Sequence, residues 1–389
     1  MSEWRKRCLG EITLFMSKGI PPKYVEKENQ NTIRVLNQKC NRNFEINYEK
    51  SRLHDCSKKN VPVDKMLQPG DVLINSTGTG TAGRVAQLYD VPTPTTVDGH
   101  MIILRPTEEM DSIYYGYAVK AFQAKIEALA EGSTGQTEIN RKRLQEEIVI
   151  SFPKEKETQE RIARFLLNVD EKIKMNDKIN KNLEQQAMAI FKSWFVDFEP
   201  YNGVMPSEWS VSTLGSVSIM GAGGDKPQNV SQTKTDLYQY PIYSNGLSNK
   251  GLYGFTDKAK IHEESVTVSA RGTIGFVCLR HIPYVPIVRL VTLIPRKEFI
   301  SAKYLYLWLK QLHITGTGTT QQQLTVPDFQ KTEILIPSQE IVTLFTTTVE
   351  PIFEKIWANQ SENEKLSSLR DTLLPKLMSG KLDVSDIDL

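Results

Sequence analysis

The stretch QERIARFLLNVDEKI (159–173) opens a long helical pattern, and QEIVTLFTTTVEPIFEKI (339–356) opens a second one. In both, apolar residues recur at alternating spacings of four and three, which is the pattern of a coiled-coil interface. The first seam of such positions is Ile162, Leu166, Val169, Ile173, Asn176, Asn180, Leu183, Ala187, Ile190 and Trp194. The second seam is Val342, Phe345, Val349, Ile352, Ile356, Asn359, Asn363, Leu366, Arg370, Leu373 and Leu377. Two long helices with matching seams are therefore predicted.

Two asparagines near the middle of each seam suggest how the helices pair. If the helices run antiparallel, Asn176 and Asn180 lie opposite Asn363 and Asn359. A buried asparagine costs stability but can fix the register of a coiled coil by pairing with its counterpart. We expect this antiparallel pair, because neither seam is otherwise covered; the alternative is that each helix packs separately on its own domain. Pro351 is expected to bend the second helix or to mark its first turn.

The rest of the chain repeats as well. Three pairs of landmarks recur in the same order: Trp4…Leu9-Gly10 with Trp209…Leu214-Gly215, PGDVLINSTGTGTAGRV (69–85) with ESVTVSARGTIGFV (264–277), and GSTGQTEINRKRLQEEIVISFP (132–153) with GTGTTQQQLTVPDFQKTEILIP (316–337). The two helical patterns follow as a fourth pair. Four landmarks in one order indicate an internal duplication.

The segments between the helices set the fold class. Residues 4–153 and 205–337 are dense in Val, Ile, Thr and Tyr with Gly and Pro between them, which predicts mixed domains of strands and turns. One helix is predicted in each, over 114–130 and 301–313. The predicted fold is α/β (α+β), with two tandem β-rich domains, each followed by a long helix. The two helices would form an antiparallel coiled coil with pseudo-two-fold symmetry. The predicted boundaries are 1–153, 154–199, 200–337 and 338–389.

Composition narrows the function classes. The 389 residues are 39% hydrophobic and carry a net charge of +2, which is ordinary for a globular protein. Residues 154–199 are neutral and residues 338–389 have a net charge of −4, so the two globular segments hold an excess of six positive charges. This bias fits contact with DNA without being specific to it. The sequence has no apolar run of roughly 18 residues and no signal-peptide pattern.

Two patterns could suggest a metal or a cofactor. The cysteines at 8, 40, 56 and 278 have no CxxC spacing and are expected to be reduced thiols of a cytosolic protein; for His54 near Cys56, a loop is favoured over a metal site. The stretch GTGTAG (78–83) has the form GxGxxG, but a dinucleotide site needs a helix at the third glycine. Strand-like residues and a proline-broken loop follow it, so a structural turn that can face DNA is predicted.

The residues at the helix ends carry a resemblance to a known family. FKSWFVDFEP (191–200), the Pro and Trp-x-x-x-x-Leu-Gly segment (206–215), and LLPKLMSGKLDV (373–384) resemble the central and distal regions of the DNA-specificity subunit of type I restriction–modification enzymes. The likeness covers essentially the whole chain as recognition domain, helix, recognition domain, helix. QERIARFL (159–166) and the Gly-Thr turns add weaker signals.

This resemblance implies a function. Each globular half, a target-recognition domain, would read one part of a split sequence in double-stranded DNA, and the helix pair would set the number of unread base pairs. The chain would be non-catalytic and cytoplasmic, and it would hold no cofactor or metal. It would dock two methyltransferase subunits, which bring S-adenosylmethionine, and endonuclease/translocase subunits would join them. Base-reading residues do not carry over, because the recognition domains of this family diverge.

Candidate DNA contacts therefore come from side-chain chemistry. Arginine and lysine suit phosphate or guanine, and glutamine and asparagine suit adenine. The candidates in the first half are Lys18, Lys23, Ser76, Thr77, Arg84, Gln136, Asn140, Arg141 and Arg143. Those in the second half are Lys226, Lys250, Ser269, Arg271, Thr273, Thr319, Thr320, Gln321, Gln322 and Gln323. The run Gln321–Gln323 is the first choice, because it falls where Gln136 falls in the first copy. For each single candidate, the alternative is a solvated loop residue.

Two other classes of function stay open. The sequence has no Asn/Asp-Pro-Pro-Tyr/Phe motif for amino-methyl transfer, no P-loop and no spaced acidic cluster of a nuclease. The absence of all three favours a recognition subunit. A self-sufficient enzyme acting on nucleic acid and a two-domain protein-binding scaffold are the alternatives.

Overall fold

The computed structural model describes residues 3–132, 137–316 and 322–382. They form two compact units, the first drawn from 1–175 and 361–389 and the second from 176–360. Each unit contains a globular body together with part of both long helices. The domain boundaries proposed from the sequence follow the helix ends, whereas the compact units divide both helices near their middles.

The globular body of the first unit is mostly strands. Its elements in order are β1 (Trp4–Cys8), β2 (Thr13–Lys18), β3 (Tyr24–Val25), β4 (Thr32–Leu36), β5 (Asn41–Arg42), β6 (Glu45–Ile46), β7 (Arg52–Asp55), β8 (Val72–Asn75), β9 (Val85–Gln87), β10 (Thr95–Val97), β11 (Met101–Pro106), α1 (Ser112–Ala121), α2 (Gln123–Ala128), β12 (Ala130–Glu131), β13 (Glu138–Ile139), α3 (Arg141–Glu147) and β14 (Val149–Pro153). The long helix α4 (Lys156–Phe195) follows. The helix predicted over 114–130 is thus two helices, which meet at Phe122.

The second unit repeats this order with fewer elements. They are β15 (Ser210–Thr213), α5 (Leu214–Val217), β16 (Ser218–Ala222), β17 (Tyr240–Tyr243), β18 (Leu252–Thr256), β19 (Ser265–Val268), β20 (Val277–Arg280), β21 (Val285–Pro286), β22 (Val291–Pro295), α6 (Ala302–Gln311), α7 (Val326–Phe329), β23 (Glu333–Ile336) and the long helix α8 (Gln339–Met378). Single 3-10 turns lie at Leu9–Ile12, Gln38–Cys40, Tyr48–Lys50, Val63–Lys65, Glu199–Tyr201 and Ser248–Gly251. The helix predicted over 301–313 is confirmed as α6. Among the helices described, none has the length and apolar content that a membrane span requires.

The sheets show the duplication directly. In the first unit the strand orders are β2-β11-β8-β9 and β10-β4-β7-β3, with β1 paired to β14. In the second they are β16-β22-β19-β20 and β18-β17-β21, with β15 paired to β23. Each unit has one parallel pair at the corresponding place, β10 with β4 and β21 with β17. Strands β8 (VLIN) and β19 (SVTV) are buried throughout, so their polar residues, Asn75 in β8 and Ser265 and Thr267 in β19, also lie in the interior.

The repeated Leu-Gly pair has the same structural reason in both units. The Leu9 N–H donates to the Ile148 carbonyl at 2.7 Å, and the Leu214 N–H donates to the Thr332 carbonyl at 2.9 Å. A Cβ on the glycine that follows would lie 3.0 Å from the Cβ of Gln145 in the first unit. In the second unit the corresponding distance, to the Cβ of Gln330, is 3.2 Å. Close packing therefore favours glycine at this position in both copies.

The long helices pair in an antiparallel sense within each unit. In the first unit Leu166, near the start of α4, shares a buried core with Leu374 and Leu377, near the end of α8. In the second unit the rings of Phe195 and Phe345 lie 5.0 Å apart. Each of these two separate cores also contains residues of a helix of its own globular body, α1 in the first unit and α6 in the second. The sequence analysis gave an antiparallel helix pair and, as the alternative, separate packing of each helix on its own domain. Both kinds of packing occur, because each long helix contacts the other helix and a globular body.

The seam asparagines lie where this antiparallel pairing puts them. In the second unit the Asn359 Nδ2 donates to the Asn180 Oδ1 at 2.9 Å. In the first unit the Asn363 Nδ2 donates to the Ile173 carbonyl at 3.3 Å, and in the second Asn176 is buried. Helix α8 continues through Pro351, so this proline does not mark its first turn. A role of these asparagines in fixing register stays a prediction.

A carboxylate of a long helix contacts the globular body in each unit, and it is buried in the first. Asp170 of α4 accepts hydrogen bonds at 2.6 Å from the Tyr117 hydroxyl and from Arg370, and Lys120 lies 4.0 Å away. Burial lowers the pKa of Lys120 to about 8. In the second unit Glu350 of α8, at the corresponding place in the repeat, contacts the buried Lys303 at 3.0 Å. These contacts fix α1 and α6 against the long helices.

Candidate nucleic-acid interface

In the first unit, the two loops that the sequence singled out lie against each other. The Gly-Thr loop, residues 76–84, connects β8 to β9, and β13 pairs with its beginning. The Ile139 N–H donates to the Ser76 carbonyl at 2.7 Å, and the Gly78 N–H donates to the Thr137 carbonyl at 3.3 Å. Two segments that are far apart in the chain therefore form one surface.

Two side chains that sequence reasoning missed join this surface. The Gln38 amide donates to the Thr77 hydroxyl oxygen at 2.6 Å and also contacts the Thr77 carbonyl. The His100 Nδ1 lies 2.9 Å from the same hydroxyl. The sequence separations of 39 and 23 residues gave no local signal for these contacts. Only the pairing of β4 with β10 and of β8 with β11 brings the three segments together.

Buried polar residues support the Gly-Thr loop from below. The Asn41 Nδ2 donates to the Asn75 Oδ1 at 3.2 Å and to the Arg84 carbonyl at 2.9 Å. Asn75 and Ser76 are fully buried. Ser76 is therefore wrong as a predicted DNA contact, because its side chain is buried under the loop. Its neighbour Thr77 is partly exposed.

Most basic candidates of the first unit already have partners within the chain. Lys18 forms an ion pair with Glu138, and the Arg84 guanidinium donates to the Gly80 carbonyl at 2.9 Å. Arg143 lies between Glu147 and Glu131, and the hydrogen bonds that its guanidinium donates to these carboxylates raise its pKa. These groups can reach DNA only by exchanging such contacts. Arg141 is exposed at the first position of α3.

Asn140 has a structural role at the start of α3. Its side-chain oxygen accepts from the Lys142 N–H at 3.0 Å and from the Arg143 N–H at 3.4 Å, which makes it the N-cap of the helix. Thr325 caps α7 in the second unit in the same way. The amide oxygen of Asn140 is thus committed to the helix, and only its Nδ2 remains for contact with a base.

The second unit brings the corresponding loops together. The Leu324 N–H donates to the Ala270 carbonyl at 3.0 Å, and the Arg271 guanidinium donates to the Gln323 side-chain oxygen at 3.1 Å. The Asn245 Oδ1 accepts from the Ala270 N–H at 2.7 Å, which resembles the contact of Gln38 with Thr77. Arg271 and Gln323, proposed separately from the sequence, therefore form one arginine–amide pair.

The remaining candidates of the second unit divide by exposure. Thr273 and Gln322 are exposed. Ser269 is buried and is corrected in the same way as its counterpart in the first unit. Gln136, Thr319, Thr320 and Gln321 lie outside the described residues.

Of the four lysines proposed as phosphate contacts, the three besides Lys18 lie at the surface. Lys23 and Lys226 are exposed in loops. Lys250 is exposed as well, with a φ of 53°, and its carbonyl accepts from the buried Arg280 at 2.8 Å. The Arg280 guanidinium stacks 3.6 Å from the centre of the Tyr243 ring, so it supports the fold.

The GxGxxG motif is a turn, as predicted. Gly78, Gly80 and Gly83 have φ values of 109°, 66° and 86°, and strand β9 follows them. A helix that could hold a pyrophosphate does not begin there. The loop expected at His54 is corrected, because His54 is buried in β7; its ring accepts from the Lys23 N–H at 2.8 Å and contacts the Lys59 carbonyl at 2.7 Å. Across the described ranges, no group of three or more His, Cys, Asp or Glu side chains is placed to hold a metal ion.

Comparison with known proteins places this architecture in a family. The family model described as "Type I restriction modification DNA specificity domain" matches residues 1–185 and 206–366. The chain is 25% identical to the Type I restriction enzyme HindI specificity subunit of Haemophilus influenzae, over 98% of this chain and 100% of that protein. It is 26% identical to the Type I restriction enzyme MjaIX specificity subunit of Methanocaldococcus jannaschii, over 88% of this chain and 83% of that protein.

A solved structure shows the same fold. The Type I restriction–modification system S subunit from M. genitalium superposes with a TM-score of 0.59 and 19% identity, over 97% of this chain and 96% of that one. The family model matches both halves, and the sheets of both halves repeat. The chain therefore belongs to the family of type I restriction–modification specificity subunits.

Proposed function

We propose that this chain is the non-catalytic subunit that selects the DNA sequence in a type I restriction–modification complex. Each unit reads one part of a bipartite target in double-stranded DNA. The observation that carries the proposal is the duplicated surface: in both units, a loop after a buried strand meets the segment before a short helix. Both surfaces combine backbone turns with basic and amide side chains, which are the groups that read phosphates and base edges.

The paired helices are proposed to set the spacing between the two parts of the target. Each helix is 40 residues long and contributes to both units. At 1.5 Å per residue, such a helix is about 60 Å long. Two readers joined by paired helices suit a ligand with two recognition patches at a fixed separation, as in duplex DNA.

Partner subunits supply the chemistry in this proposal. Two methyltransferase subunits dock on the chain and bring S-adenosylmethionine, and endonuclease/translocase subunits complete the assembly in the cytoplasm. The relatives are named as specificity subunits of restriction enzymes, which supports this division of labour. The four cysteines are free thiols, which suits a reducing compartment.

The test compares the chain alone with the chain in its complex. The purified chain should neither methylate nor cleave DNA. Co-expressed with the methyltransferase subunit of the same system, it should form a complex of one chain with two methyltransferase subunits that modifies one split sequence. Methylation or cleavage by the isolated chain would favour a self-sufficient enzyme. A complex that modifies DNA equally well without this chain would favour a protein-binding scaffold.

A further inference from the structure

A strained turn in the second unit leads into β22. The turn Ile287–Leu290 is closed by a hydrogen bond of 3.1 Å from the Leu290 N–H to the Ile287 carbonyl. Its central residues, Val288 and Arg289, have φ values of 52° and 63°. Turns with two left-handed central residues normally carry Asn and Gly there, because side chains are strained in this region. A β-branched valine is an outlier in it.

Surrounding contacts hold this turn in place. The Val288 N–H donates to the Gly224 carbonyl at 2.9 Å, and the Arg289 N–H donates to the Gly223 carbonyl at 2.9 Å. A Cβ on Gly223 would lie 2.7 Å from the Ile287 nitrogen, so the two segments require glycine to approach this closely. The Asn245 Nδ2 donates to the Val288 carbonyl at 2.5 Å. Strain that persists under so many constraints is typical of functional positions.

The same asparagine joins the turn to the candidate interface. The Asn245 Oδ1 accepts from the Ala270 N–H, which directly precedes Arg271, while its Nδ2 holds the residue that directly precedes Arg289. One amide therefore fixes the backbone beside two arginines. The first unit has a turn at the corresponding place, Asp98–Met101, and its third residue, His100, contacts Thr77 of the Gly-Thr loop. In both units this turn thus contributes to the same surface.

The two side chains of the turn face outward. Val288 is 50% exposed, and Arg289 is exposed as well. Throughout the described ranges, no carboxylate forms an ion pair with Arg289, in contrast to Arg143 in the first unit. A glycine would remove the strain at position 289, yet the position carries a long cationic side chain.

We infer that Arg289 reads a base in the part of the target recognised by the second unit, and that Asn245 is the residue that positions it. The inference rests on the proposed function and adds a specificity-determining residue to it. Arginine makes bidentate hydrogen bonds to the O6 and N7 of guanine, which is the commonest specific contact in the major groove. Because its backbone is fixed on both sides, only the side chain has to be ordered when the guanidinium binds a base.

The test uses Arg289→Gly, which removes the side chain and relieves the strained backbone at once. The chain is assembled with the methyltransferase subunits and supplied with S-adenosylmethionine and a library of duplexes randomised over the target. Methylated sequences are then read out. Arg296→Ala is the matched control, because Arg296 is exposed just beyond the other end of β22. At about 3.3 Å per residue, it lies roughly 20 Å from the turn.

We expect Arg289→Gly to lose discrimination at one base pair by about 5- to 150-fold, the range for one bidentate contact. The loss should fall in one part of the target only, with the melting temperature unchanged or higher. The control variant should retain the wild-type sequence preference. Asn245→Asp keeps an acceptor for Ala270 but loses the donor to Val288, so it should weaken discrimination at the same base pair by a smaller factor.

Three results would overturn the inference. An unchanged methylated sequence at an unchanged rate would show that Arg289 does not contact DNA. Uniform weakening over all sequences would assign it to a phosphate instead of a base. A wild-type complex that recognises no split sequence would contradict the proposed function itself. This outcome is distinguishable from the other two because it is observed without any substitution at Arg289.

Discussion

The candidate DNA-contacting surfaces of the two units differ more than the buried residues that support them. In the first unit the turn before β11, Asp98–Met101, has no residue with a positive φ, and its His100 engages Thr77 together with Gln38. In the second unit valine and arginine occupy the left-handed positions of the turn before β22. The supporting residues, by contrast, recur in kind: an amide after β4 or β17, a buried serine after β8 or β19, and a capped short helix.

The attachment of each body to the helices is duplicated as well. Gln159 and Gln339 both donate to a backbone carbonyl of their own body, at 3.1 and 3.2 Å. Eleven residues further along each helix, Asp170 and Glu350 receive cationic side chains. The comparison teaches that the duplication has kept the parts that position the surface and has diverged in the parts that face outward. Substitutions of residues that position the surface should therefore reduce the stability of the fold. Substitutions of the exposed residues proposed to contact bases should change the DNA sequence recognised.

The largest expected effect is on the supports of the first unit. Asp170→Ala leaves Arg370 and Lys120 without their shared carboxylate and removes the partner of the Tyr117 hydroxyl. Lys120 would be left as an unpaired buried charge, whereas Arg370 would keep Asp371 at 2.8 Å, so we expect a loss of about 3 kcal/mol in the free energy of unfolding, the lower end for a broken buried pair. Urea denaturation measures it, with Glu171→Ala, an exposed neighbour on the same helix, as the control.

Glu350→Ala provides the matched change in the second unit. Lys303 would keep Glu264 at 2.9 Å, and the Glu350 side chain is 37% exposed. The loss should therefore be smaller, about 1–2 kcal/mol. Equal losses for the two substitutions would contradict the view that the more deeply buried carboxylate, Asp170, contributes more to its attachment.

A reader substitution should change specificity with little effect on stability. Arg271→Ala removes the guanidinium that pairs with Gln323 on an exposed loop. We expect a loss of about 1–3 kcal/mol in discrimination at one base pair, confined to one part of the target. Methylation of a randomised duplex library measures this effect. A loss spread over both parts of the target would show that the units do not read independently.

The pH dependence of stability tests the buried lysine. Burial lowers the pKa of Lys120 from 10.5 to about 8, although Asp170 opposes the shift. Between about pH 8 and 10 the unfolded chain binds more protons than the folded chain, so stability should rise with pH in this window. Lys120→Met should remove that rise without lowering stability at pH 7. Melting temperatures from pH 7 to 10 check the prediction, and an unchanged slope in the variant would refute it.

The smallest expected effects concern the repeated Leu-Gly pair. Gly10→Ala and Gly215→Ala each place a methyl group against a glutamine side chain, and each should cost about 1 kcal/mol. The loss should be greater at Gly10, where the new Cβ would lie 3.0 Å from its neighbour, than at Gly215, where the distance is 3.2 Å. Thermal melting of the two variants distinguishes them. A reversed order would indicate that Gln145 yields more readily than Gln330.

The sequence predicted the features that repeat in residue type or spacing. The heptad seams predicted both long helices. The recurring landmarks singled out Arg271 and Gln323 as separate candidates, and the structure joins them in one pair. Gln38, His100, Asn245 and Arg289 were missed, because they are brought in by strand pairing over long separations. Their residue types also differ between the copies, so a search for repeats gives no signal there.

The burial of individual side chains was equally beyond the sequence. Serine is common in exposed loops, which is why Ser76 and Ser269 were predicted to contact DNA. Each directly follows a buried strand, however, and is buried under its loop. Arg143 looked like a free cation, yet helix α3 and strand β12 bring carboxylates to it. The burial and ion pairing of these side chains depend on which residues the fold brings next to them.

The sequence methylated by the assembled complex tests the central claim most directly. In the two units the residues that support the surface are alike, and the exposed residues proposed to contact bases differ. The account therefore predicts a target of two dissimilar parts, separated by a constant number of unread base pairs. Mapping methylated bases across a genome that carries the complex would show this pattern, and Arg271→Ala would alter one part alone. A single continuous sequence, or two identical parts as an inverted repeat, would contradict the account.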